Sequence, residues 1–177
     1  VLNVTGIPID GENQLYDLHE GANLVSYPYE QSNEISSAIP DLFEGYIEGI
    51  ISEGVAAVQT APGNWVGSLT EFKQNKGYWL KSDASFTFAY DPPSEGLSRV
   101  MTASYEVKDY NQSTQQAFYF VEEIEDIEEG DIVTAYCNDV LVGSRTWAGS
   151  YTDIPAMGVD GSEYTDNYCE IGSIPTF

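Results

Sequence analysis

The chain has 177 residues, 42% of them hydrophobic, enough for one good core or two small ones. Its 29 acidic side chains against 6 basic ones leave a formal charge of −23 spread along the whole length. A field of that sign repels phosphate backbones and anionic bilayers, which argues against nucleic acid and membrane surfaces as partners; it favours divalent cations, cationic partners and a salty medium that screens self-repulsion.

In chain order, residues 1–9 read as extended and Asp10-Gly11 as a turn dipeptide. The stretch "ANLVSYP" reads as a strand ended by Pro28. A short helix is predicted near residues 33–50. Its apolar positions Ile35, Ala38, Ile39 and Leu42 recur at helical spacing, and Asp41 with Glu44 resembles a capping box that restarts the helix after Pro40. Strands then return in "VAAVQ", "NWVGSL", "YWLKS" and "SFTFAY"; in the last, Phe86, Phe88 and Tyr90 alternate with small residues at the period of two expected of a half-buried strand.

Pro92, Pro93, Ser94, Glu95 and Gly96 form the clearest break, because two prolines remove donors and the residues after them carry no apolar payload. A boundary there gives domains at 1–92 and 97–177. In the second, Met101, Ala103, Tyr105 and Val107 alternate, "QAFYFVE" makes another strand, and residues 131–147 read as a hairpin turning at Asn138-Asp139. Strands near Tyr168 and Ile174 complete the pattern. The expected class is mainly β: two small β-sandwich-like domains in tandem, the first with a short helical insertion.

Catalytic signals are weak. The single histidine, His19, lies in a polar turn-like stretch, no nucleophile elbow or zinc-helix motif occurs, and with 29 acids a carboxylate pair carries no information. The expectation is a protein that is not an enzyme. Calcium is the cofactor that concentrated oxygens would suit, at Asp10, Glu12 and Asn13, along the acidic run of residues 122–131, or, as the better candidate, at Asp153, Asp160, Glu163 and Asp166 around a glycine-containing loop. None of these follows the EF-hand spacing. Cys137 and Cys169 are either two buried thiols or a bridge that would stabilise by ~3–4 kcal/mol in an oxidising compartment. Trp65, Tyr78, Trp79 and Trp147 are the candidate ligand or interface aromatics. Adjacent strand side chains point to opposite faces, so Tyr78 and Trp79 cannot both face one core. The tyrosine abundance, 13 in all, suits permanent contacts between modules or subunits. A chain that begins at Val1 without a charged-then-apolar leader reads as a mature secreted product or an excised piece of something longer.

The motifs "GANLVSYP" at 21–28, "IISEGVAA" at 50–57 and "GNWVGSLT…KGYWLK" at 63–81 resemble a module of secreted and surface multidomain proteins of marine and environmental bacteria. In that likeness the residues before 57 end a helix. Residues 99–177 are similar to a module often found close to it, through "GDIVTAY…LVGSRTW" at 130–147 and "DIPAMGVDG" at 153–161. The resemblance carries no reaction and no functional residues. It implies a β-rich extracellular module, and related chains continue past "IPTF" into a further strand, which implies completion of the last strand beyond Phe177 or by a neighbour. The functional expectation is a non-catalytic structural or assembly module of the cell surface or extracellular space, a self-associating filament or surface-layer subunit working through strand or tyrosine-rich contacts with copies of itself or neighbouring modules. The alternative is a carbohydrate-binding or adhesive module, calcium-dependent if the oxygen clusters bind the ion.

Overall fold

The strand periodicity of the sequence is realised in a mainly β chain whose α-helical content, among the described residues, is two single turns. The structure, a computed structural model, describes residues 11–93 and 110–177. The expected strands at 1–9 and 101–107, the Asp10 turn position and most of the break at 92–96 lie outside the described residues. Two compact units emerge. Among the described residues the first gathers 11–52, 58–65 and 70–93, and the second gathers 53–57, 66–69 and 110–177.

In the first unit a 3₁₀ turn over Gly11–Asn13 leads into β1 (Tyr16–Leu18), β2 (Gly21–Ser26) and β3 (Asn33–Glu34). Two helical turns follow, α1 (Ile35–Ala38) and α2 (Asp41–Glu44), and then β4 (Ile47–Ser52), β5 (Val55–Ala61), β6 (Asn64–Val66), β7 (Glu71–Phe72), β8 (Gly77–Ser82) and β9 (Phe86–Phe88). The main sheet has the order β2-β8-β4-β5-β6; β1 pairs with β9 and β3 with β7, each antiparallel.

The predicted helix near 33–50 is therefore corrected to two four-residue turns, and the residues up to 57 do not end a helix. Pro40 caps α2 and withholds an N–H, so no continuous ladder can form through it. Beyond Gly45 the β-branched Ile47, Ile50 and Ile51 take strand conformation, with Gly54 at φ +68° turning β4 into β5. Ile35, Ala38 and Ile39 are buried as the spacing demands, but Leu42 points outward at 76% exposure. The capping box is not made: neither helical turn has a side-chain cap, and Glu44 is spent elsewhere. Pro62-Gly63, with Gly63 at φ +76°, turns β5 into β6 as a type II sequence should.

The inner face of the sheet builds the core. Val25 of β2, Tyr78 and Leu80 of β8 and Ile47 and Ile50 of β4 are buried together with Phe72, Phe88 and Tyr90. Their rings interlock edge to face: Phe72 lies 4.7 Å from Tyr78 and 5.0 Å from Tyr90, and Tyr90 meets Phe88 at 5.0 Å and Tyr27 at 5.3 Å. Such pairs add roughly 0.5–1.5 kcal/mol each beyond burial of their area.

The second unit pairs β10 (Gln116–Val121) with β13 (Thr152–Met157) and β11 (Ile132–Cys137) with β12 (Val140–Thr146), all antiparallel. The β11–β12 turn puts Asn138 at φ +48° and Asp139 at φ +66°, the two left-handed positions of a type I′ turn, as the sequence predicts. Val133, Ala135, Val142, Trp147, Ile154, Ala156, Met157 and Tyr168 form its core. Near the expected strands at Tyr168 and Ile174 there are single bridges, Gly158 to Cys169 and Tyr136 to Thr176. Cys137 and Cys169 form a disulfide with Cα atoms 5.4 Å apart. The open question of their pairing is thereby settled.

Candidate functional site

The register of β2, β8 and β4 decides which aromatic is available for contact. Leu24 lies opposite Trp79, and Trp79 opposite Ile51, so the three form one row across adjacent strands. The alternation that buries Tyr78 and Leu80 drives this row to the other face: Trp79 is 46% exposed, Leu24 is 62% exposed and Ile51 is half-buried. A bulge between Ile47 and Gly49 shifts the β4 register, and Glu48 beside it pairs with Lys81 at 2.7 Å. That exposed ion pair adds little stability but frames the apolar row with charge.

The other three aromatics go elsewhere. Tyr78 is buried, and its hydroxyl accepts the Lys73 N–H at 2.7 Å; burial pushes its ionisation up, against that bond. Trp147 is buried in the core of the second unit. Trp65 is half-buried, and its indole Nε1 donates to Glu44 Oε1 at 3.2 Å. Gln59 completes that knot, donating from Nε2 to the Glu44 and Ile47 carbonyls and accepting from the Gly63 N–H. Trp79 is thus the outward member of the set. The expected tyrosine surface is also scarce: among the described tyrosines only Tyr46 and Tyr164 are exposed. A phenol packs as core once its hydroxyl meets a backbone group, and composition alone cannot reveal that.

The four carboxylates proposed as metal ligands divide into separate arrangements. Asp153 is buried, taking the Ser68 N–H at 2.6 Å and hydroxyl at 2.7 Å and pairing with Arg145 Nη2 at 3.0 Å. Arg145 also donates from Nε to the Asp153 carbonyl and from Nη2 to the Gly54 carbonyl. Burial pushes the Asp153 carboxyl up against the pull of Arg145 and Ser68. Asp160 accepts the Thr114 N–H at 2.9 Å, the Ser162 hydroxyl at 2.7 Å and N–H at 3.0 Å, and the Thr165 hydroxyl at 2.9 Å. Those donors, the Thr114 amide first, hold its carboxyl well below the usual carboxylate range. Glu163 and Asp166 are exposed at the 3₁₀ turn that follows. Among the described residues no three His, Cys, Asp or Glu side chains converge as metal ligands. The geometry is that of a loop tied by its own donors.

His19 is exposed in the β1–β2 turn, its backbone N–H given to Asn23 Oδ1 at 2.9 Å. Concavities lie among the described residues of the second unit. One, about 250 Å³, is lined by Gln115, Gln116, Tyr119, Glu170 and Ser173 among others. Another, about 370 Å³, is predominantly apolar, with Val121, Ile124, Ile127, Ile132, Ile154 and Phe177 on its walls. Sequence reasoning missed both, because their walls join strands and loops distant along the chain. No family model, curated protein or solved structure matches the chain. Among the described residues no helix is long and apolar enough to cross a membrane. The disulfide points to an oxidising compartment.

Proposed function

We propose that the protein is a non-catalytic assembly module of the extracellular space or cell surface, associating with further copies of itself through the outer face of its five-stranded sheet. The observation that carries this reading is the exposed Leu24–Trp79–Ile51 row. A contiguous apolar stripe with a tryptophan at its centre, rimmed by charge, has the anatomy of an interface core. The acidic surface works with it: at −23 the copies repel at low ionic strength, and added salt screens that repulsion while leaving the apolar contact intact. Association should therefore strengthen as salt rises. In sedimentation velocity over a concentration series, Trp79→Ser should weaken association by about tenfold or more with an unchanged melting temperature. A wild-type chain that stays monomeric at every concentration and salt level, or a Trp79→Ser variant that associates unchanged, would reject the reading.

A second reading, a saccharide-binding module, draws on the 250 Å³ cleft. Its Tyr119 ring offers a face for sugar C–H groups, and Gln115 and Glu170 offer hydroxyl partners. Glycan binding lost on Tyr119→Ala in a folded monomer would favour it over assembly, and loss on chelation would mark it as calcium-dependent.

A further inference from the structure

Ile124 and Ile127 turn inward from the loop between β10 and β11 and join Val121, Ile132, Ile154 and Phe177 around the 370 Å³ groove. That volume falls within the roughly 300–1,000 Å³ of pockets that take small ligands or side-chain anchors. Two of its walls remain open to solvent, Ile132 at 46% and Phe177 at 54% exposure. The charge around it has one sign. Seven of the ten residues 122–131 are Asp or Glu, and all seven are exposed. They flank in sequence the two isoleucines that line the groove, which keeps carboxylates within one or two residues of its wall. Among the described residues of the second unit Arg145 is the only Lys or Arg, and it is held by Asp153 and the Gly54 carbonyl. Among the described residues of the second unit no other cation stands near the rim to satisfy it.

We infer that this groove docks a basic polypeptide segment, seating an apolar side chain against Ile124, Ile127, Ile132 and Phe177 while flanking Lys or Arg residues neutralise the acidic rim. Complementarity of charge selects the occupant. A second copy of this chain would bring the same sign to the mouth, and a low-dielectric pocket edged by like charges focuses the field on a cation. Carboxylates strung over ten residues call for several cations at polypeptide spacing rather than one. The groove shares no residue with the Trp79 row and rests on its own observations. The two also respond oppositely to salt, since docking here weakens as ionic strength rises.

Fluorescence anisotropy with a labelled peptide Lys-Lys-Leu-Phe-Leu-Lys-Lys tests it on the full chain. Saturable binding is expected, about tenfold weaker for Phe177→Ser, for Ile132→Asn and for a triple Glu122→Gln, Glu125→Gln, Glu128→Gln variant, and weaker in raised salt. Near-UV circular dichroism checks each fold, and the change at Phe177, which is 54% exposed, keeps the test valid where Ile132→Asn unfolds. Absence of saturable binding overturns the inference. It is equally overturned if Lys-Lys-Ser-Ser-Ser-Lys-Lys binds as tightly, which leaves charge alone, or if Ser-Ser-Leu-Phe-Leu-Ser-Ser does, which leaves apolar burial alone.

Discussion

Asp153 lies in β13 and Asp160 in the loop that follows it, yet acid acts on them in opposite senses. Asp153 is buried, and burial raises its carboxyl even with Arg145 beside it, so its protonated form is relatively favoured in the fold. Its linkage term is present below the unfolded value of about 3.9 and fades as pH rises through the folded value. Asp160 runs the other way. Donors from Thr114, Ser162 and Thr165 lower its folded value, so its stabilising contribution is full above the unfolded value and is lost as pH falls. Thermal melts from neutral pH down through about pH 4 and below should show the wild type losing stability more steeply than Asp160→Asn. Equal slopes would mean that the loop donors do not hold the carboxylate in solution. Neither role could be read from sequence, where both residues look like cation ligands. Ser68 and Thr114 come from segments far away in the chain, and Arg145, though close in sequence, meets Asp153 only once β12 and β13 pack together.

At the scale of elements, β13 shows how a fully buried strand escapes a periodicity argument. "TDIPAM" has no alternation, because all six residues are buried, and it carries both a charge and a proline. Arg145 satisfies the charge, and Gly143 of β12 lets the strand come close: a Cβ there would run into the Pro155 carbonyl. Gly143→Ala should therefore cost roughly 1–3 kcal/mol or more, measured by urea denaturation, although alanine suits strand dihedrals. A cost near zero would mean that β12 and β13 pack less closely than described. Legibility follows the same physics. The β11–β12 hairpin was readable because Asn138 and Asp139 both tolerate positive φ, and β8 was readable because one face of "GYWLKS" is buried and the other is not. The helix near 33–50 was overread: four apolar positions at helical spacing are also met by two single turns and a β-branched strand, and Pro40 decides between them.

For the whole molecule, the acidic surface and the apolar row across β2, β8 and β4 together set the behaviour proposed here. In the proposed assembly the first would keep dilute copies apart and the second would give them something to bury when salt or concentration brings them together. The architecture was legible from strand texture and turn chemistry. The contact face was legible only in part, because alternation separates Tyr78 from Trp79 without saying which of them faces the core. The most direct measurement is hydroxyl-radical footprinting of the chain across a concentration and salt series, read by mass spectrometry at individual side chains. The account predicts that Trp79 and Leu24 are labelled in dilute, low-salt solution and become protected on association, with Tyr164 labelled throughout. Trp79 labelled equally in free and associated protein, or protection confined to residues outside this row, would contradict it.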